Sequence, residues 1–117
     1  MSITLNTVAF AQDSILTPNK VQYASDSNTF SSKDLLSLGR TAPKPTSTFR
    51  GVARSEFKRT QTVTLDDDST YDAIITVSVS LPVGIVEADA TALLDDVGDF
   101  LISADATTLC VNHDIFY

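Results

Sequence analysis

The chain has no tryptophan, one cysteine, one histidine and one methionine, and only four glycines and four prolines in 117 residues. Each shortage excludes a class of protein. A single cysteine, Cys110, cannot close an intrachain disulfide, so stability must come from packing or association; it reads as a small buried hydrophobe. One Cys and one His fall short of a zinc site. His113 stands beside Asp114, and adjacent positions are not a triad signature, so the pair reads as structural. No G-x-S-x-G, P-loop or dinucleotide fingerprint occurs, so neither an enzyme nor a cofactor is expected. The low Gly and Pro content argues against collagen-like and low-complexity chains. No stretch approaches the roughly 18 uninterrupted apolar residues of a membrane span. The opening "MSITLNTVAFAQDS" lacks the basic start and continuous apolar run of a signal peptide. Cytoplasmic synthesis without a membrane partner is the expectation.

Positive charge is also scarce, and it is unevenly placed. The net charge is −7, from eight Lys and Arg against fifteen Asp and Glu. From Asp66 onward there are eleven acidic residues and no Lys or Arg. Arg40, Lys44, Arg50, Arg54, Lys58 and Arg59 gather six of the eight basic residues, interrupted only by Glu56. Such asymmetry points either to a polyanionic partner for one part of the chain or to a solvated strand pair.

What is abundant is alternation. Ile3 to Phe10 reads as a strand. "AQDS" reads as a turn, and "ILTPNKVQYAS" as a second extended segment broken at Thr17-Pro18-Asn19; together they make an N-terminal hairpin over residues 1–25. Leu35, Leu36 and Leu38 fit a short strand or a helical turn. "TAPKPTS" is an extended linker, because Pro43 and Pro45 cannot donate to a ladder. Three strands follow within a 28–82 meander. The first is Thr48–Ser55, with Phe49, Gly51 and Ala53 opposite Arg50, Val52 and Arg54. The second is Lys58–Leu65, after a loop at Ser55–Phe57. The third is Tyr71–Leu81, after a "DDDST" turn, and Pro82 ends it. From Glu87 to Ala104 the period changes: Leu93, Val97, Phe100, Leu101 and Ala104 recur at helical spacing, and Glu87 and Asp89 suit the positive end of the helix dipole. Gly98 inside that helix costs about 1 kcal/mol relative to Ala. An apolar tail, "ATTLCVNHDIFY", completes a C-terminal helical region over 87–117.

These elements make a single α+β domain with an N-terminal hairpin, a five-stranded antiparallel sheet and C-terminal helices. One helix of about 17 residues spans roughly 25 Å. It does not cover five strands, roughly 24 Å wide at ~4.8 Å each. A second helix is required, and a partner subunit can supply it, so an obligate homodimer is expected. If the loop at Ser55–Phe57 has odd length, Arg50, Arg54, Lys58, Thr60, Thr62, Thr76 and Ser78 share one polar face. That set can bind phosphate, ribose and base edges. Even length would set Arg54 opposite Arg59 and mix the faces. The run Asp66-Asp67-Asp68 is a weak cation candidate, since it supplies oxygen ligands without the spacing of an EF-hand loop.

The order of parts, with "FRGVARSEFKRTQTVTL" at its centre and the terminal "IFY", resembles the coat proteins of small single-stranded RNA bacteriophages of the levivirus type. The resemblance implies sheets joined edge to edge in a dimer, helices crossing onto the partner, and assembly of dimers into an icosahedral shell. It further implies a virion location after assembly in the host bacterial cytoplasm. Genomic RNA would lie against the polar face, and an RNA hairpin that represses translation would bind there. By position, Arg50, Val52, Arg54, Lys58, Thr60, Thr62, Thr76 and Ser78 match the RNA-facing strands. The chain departs from the family in its short "DDDST" loop and its acidic last third. The rival expectations are a small host nucleic-acid-binding β module and a subunit of an assembly without RNA.

Overall fold

The structure, a computed structural model of the chain, describes residues 2–116. It divides into two compact units, one running through Val83 and the other beginning at Gly84.

The first unit is one antiparallel sheet of β1 (Ser2–Leu5), β2 (Val8–Thr17), β3 (Lys20–Ser25), β4 (Asp34–Thr41), β5 (Val52–Thr64) and β6 (Thr70–Pro82). The strands lie side by side in chain order. The strand expected over Ile3 to Phe10 is broken at Asn6 and Thr7, both at positive φ, which make the two-residue turn between β1 and β2, the geometry that matches strand twist in a tight hairpin; the "AQDS" expected to turn runs inside β2 instead.

Three further expectations about the sheet are corrected. The N-terminal hairpin is not separate from a five-stranded sheet: β2 pairs with β3 from Phe10↔Ser25 to Thr17↔Lys20, and a single six-stranded sheet results. The anticipated strands Thr48–Ser55 and Lys58–Leu65 are not a hairpin. Val52–Thr64 is one uninterrupted strand, paired along its length with β6 and over residues 54–61 with β4. Ser55-Glu56-Phe57 contains no Gly, Pro, Asn or Asp to turn the chain, and Phe57 faces Leu38 and Val77 across the ladders. Finally, Thr48, Phe49 and Arg50 lie in the loop before β5. Gly51 ends that loop at φ +95°, where a Cβ would stand 3.0–3.1 Å from the Lys44 backbone and Pro43. The leucine segment resolves as strand β4, with Leu36 1% exposed.

The register sorts side chains cleanly. Phe10, Tyr23 and Leu36 form the buried cluster, with Ile3, Leu5, Val21 and Phe57 packed against it. All seven fall on one face by cross-strand pairing. Arg59 shares that face rather than the polar one. Its guanidinium lies 4.9 Å from the Phe10 ring centroid. It donates to Asp34 Oδ1 at 2.5 Å, to the Leu35 carbonyl at 3.1 Å and to the Thr60 carbonyl at 2.8 Å. The buried Ser25 hydroxyl donates to the other Asp34 oxygen. The charge is tolerated beside the core because each group in the network has partners.

The second unit holds α1 (Glu87–Leu101) and α2 (Ala104–Cys110). The helix expected to reach Ala104 stops three residues earlier. Ser103 is extended, and its hydroxyl donates to the Phe100 carbonyl at 2.6 Å; a serine that bonds nearby backbone competes with helix continuation. Part of the expected tail is instead α2. Cys110, expected to be buried, is exposed, because it ends a short helix whose only buried residue is Ala106. Nothing in the structure explains Gly98, which has no atom within 4 Å of an added Cβ.

Candidate nucleic-acid interface

Continuity of β5 decides the site. Even-numbered residues of one strand share a face, so Val52, Arg54, Glu56, Lys58, Thr60 and Thr62 form a single row. Antiparallel partners lie on the same face as the residue they oppose. Lys58 is therefore flanked by Ser37 and Thr76, Glu56 by Gly39 and Ser78, and Arg54 by Thr41 and Ser80. Continuing through β4 brings in Lys20 and Gln22, opposite Gly39 and Ser37.

Seven of the eight residues anticipated from sequence are thus brought to one face, but as a row along one strand with neighbours in β6. The eighth, Arg50, lies outside the sheet. Thr62 has its hydroxyl engaged. It donates to Asp72 Oδ1 at 2.8 Å and accepts the Lys33 amide at 2.9 Å, while Lys33 Nζ reaches Asp72 Oδ2 at 3.3 Å. The Thr62 hydrogen bond, followed by Lys33, holds the Asp72 carboxyl below the usual carboxylate range.

Charge pairing separates the cations into two groups. Arg59 is held by Asp34, Lys33 by Asp72, and Lys20 lies 3.9 Å from Glu56. Arg40, whose Nε donates to Asn19 Oδ1 at 3.1 Å, Lys44, Arg50, Arg54 and Lys58 have no ion pair among the described residues. Arg54 and Lys58 lie about 14 Å apart along the strand. Beside Arg54 a hollow of about 280 Å³ is lined by Lys20, Arg40, Arg54, Glu56 and Ser78. A smaller one of about 90 Å³ continues past Lys58 toward Gln22, Leu35, Ser37 and Thr60. This surface can bind a phosphate chain through unpaired cations and offers hydroxyls to sugars and base edges.

Lys20, Gln22 and Glu56 were not anticipated. The signal was present in "KVQYAS", where Lys20 and Gln22 alternate with Val21 and Tyr23, but only the meander puts β3 beside β4.

The acidic turn is organised by its own hydrogen bonds. Asp67 Oδ1 accepts the Ser69 hydroxyl at 2.5 Å and the Ser69 amide at 3.0 Å, and these bonds hold the Asp67 carboxyl below its ordinary range. Asp68 takes φ +66°. Among the described residues, no three His, Cys, Asp or Glu side chains are grouped so as to hold a metal ion. Nor is any described helix long and apolar enough to cross a membrane.

No protein-family model matches the chain, and no curated protein does. Solved structures do match. In the virus-like particle of Beihai levi-like virus 32, a chain superposes with a TM-score of 0.85, covering 96% of this chain and 91% of that one at 17% identity. This is the fold of levi-like virus particles. The virus-like particle of bacteriophage GQ-907 gives 0.79 over 99% of this chain and 90% of that one, at 14% identity. That of bacteriophage AVE019 gives 0.69 over 100% and 96%, at 16% identity. The resemblance drawn from the order of elements is thus met at the level of the fold.

Proposed function

We propose that the chain is a structural coat protein, without catalytic function, that joins as a homodimer and assembles into an icosahedral virion shell. The polar sheet face would line the interior and hold single-stranded genomic RNA. An RNA hairpin bound as a translational repressor would occupy the same face. The observation that carries this reading is a fold shared over nearly the full length of both chains with proteins of virus-like particles.

Surface chemistry supports the association. The buried cluster is small for a chain of this length, and large apolar groups remain in water. Tyr71 is 67% exposed and Ile75 61% on β6, while α1 buries no residue and exposes Leu93, Leu94 and Val97. Among the described residues the outer edge of β6 has no strand beside it, and a long free edge is a template for pairing with another chain. A second copy can satisfy both needs, edge against edge and helix over sheet. The cations without ion pairs on or next to β5 support the RNA role, since many copies add up around one polyanion.

Electron microscopy of the purified protein tests the reading. Uniform closed particles are expected, and a small species under all assembly conditions would overturn it. Leu93→Asp with Val97→Asp should abolish particles. Arg54→Ala with Lys58→Ala should lower the nucleic-acid absorbance of particles while sparing the dimer; unchanged RNA content would remove RNA from this face.

A further inference from the structure

The loop between β4 and β5 is built rather than slack. Thr46 and Phe49 clasp one another: the Thr46 amide donates to the Phe49 carbonyl at 2.7 Å, and the Phe49 amide donates to Thr46 Oγ1 at 3.1 Å. Gly51, at φ +95°, lets the Lys44 backbone and the Pro43 ring come within 3.0–3.1 Å of where a Cβ would stand, and its carbonyl accepts the Val83 amide at 3.0 Å. The outcome is an aromatic ring held 52% exposed, where an unconstrained loop would let it fold away from water.

That ring lines a hollow of about 310 Å³ together with Thr41, Lys44, Val52 and Arg54. Thr41, Val52 and Arg54 belong to the polar face. The loop therefore carries Phe49 from the apolar side, where alternation had placed it, to the end of the polar row. Thr41 and Arg54 also line the neighbouring hollow of about 280 Å³, so the two spaces adjoin. An exposed ring that shares a hollow with two cations without ion pairs can accept a base and its flanking phosphates, because every base has a π-face and every nucleotide an anion. We propose that the Phe49 hollow binds an unpaired nucleobase of single-stranded RNA, stacked on the Phe49 ring, with the adjacent phosphates held by Lys44 and Arg54. This rests on the RNA-packaging reading and assigns a subsite within it.

The chain has no tryptophan, so Phe49→Trp installs a single reporter in the whole protein. The probes are an eight-nucleotide oligoadenylate and the same backbone with abasic residues. Stacking of one base contributes roughly 1–3 kcal/mol, or about five- to 150-fold in affinity. The base-containing probe should quench Phe49→Trp emission, and the abasic probe should not. Phe49→Ala should weaken oligoadenylate binding at least about fivefold with the salt dependence unchanged, and Phe49→Tyr should restore it. Lys44→Ala and Arg54→Ala should each lower the slope of log affinity against log salt by about 0.7. Equal oligoadenylate affinity for wild type and Phe49→Ala would overturn the subsite and leave RNA packaging standing. Absence of binding by either probe at low salt would overturn both. If Phe49→Ala blocks particle assembly while oligoadenylate binding is intact, the ring is a contact between subunits and the proposal falls.

Discussion

Arg54 and Arg59 are five residues apart in one strand, and the odd spacing gives them opposite work. Arg59 is half-buried beside Phe10, where it satisfies Asp34 and two carbonyls; Arg54 is exposed and free of ion pairs. Arg59→Ala leaves Asp34 without its cation and should destabilise the fold by about 2–3 kcal/mol, the lower part of the range for breaking a buried pair because both groups retain some solvent. Arg54→Ala should stay within about 0.5 kcal/mol of wild type and act only on nucleic-acid binding. Denaturant midpoints of the two variants check this, and equal losses would contradict the assignment. Asp72 makes a second residue-scale prediction. Its folded-state pKa is lowered by Thr62 and then Lys33, so its contribution is complete above the unfolded value near pH 4 and is lost as pH falls through the lowered one. Asp72→Asn should therefore be less stable than wild type at about pH 6 and converge with it at about pH 2. A gap of the same size at both ends would show that the group is not linked to protonation.

At the scale of elements, strand β5 and the loop before it set the site. The alternation of Arg54, Lys58, Thr60 and Thr62 was legible as a strand pattern, and so were the polar positions of Thr76 and Ser78. The point at which the chain reverses was not legible. Period-2 alternation is the same for one strand of thirteen residues and for a strand that turns and returns with matching parity. Only pairing with β4 and β6 distinguishes them. The loop depends on one residue: Gly51→Ala places a Cβ about 3 Å from the Lys44 backbone at a φ that L side chains avoid. It should cost about 1–3 kcal/mol and, by displacing residues 43–44, weaken oligonucleotide binding at the Phe49 hollow. Thermal melts and the Phe49→Trp signal read the two effects separately. Binding and melting both unchanged would mean that the close approach relaxes freely.

On the scale of the whole molecule, a net charge of −7 gives a poor picture of the surface that matters. The acids concentrate from Asp66 onward, where the chain has no Lys or Arg, and the cations without ion pairs concentrate between Arg40 and Lys58. The proposed association would draw on the apolar surface. Apolar surface is spread over β6 and α1 in amounts a monomer leaves in water, and burying it at ~25 cal/mol per Å² is the driving force available to a second copy.

Taken by itself, the amino-acid sequence determined the local terms. These were an α+β chain, strands where apolar and polar residues alternate, an acidic N-terminus to α1, a turn at the aspartates, and basic charge gathered in one region. Those properties depend on neighbours in the chain. Tertiary structure alone decided that β5 runs unbroken and that the hairpin joins the main sheet. It likewise decided that Arg59 belongs to the core and Phe49 to the polar end, and that Lys20 and Glu56 join the row. Each depends on which strand lies alongside and in what register, a relation between residues distant in sequence that no local pattern encodes.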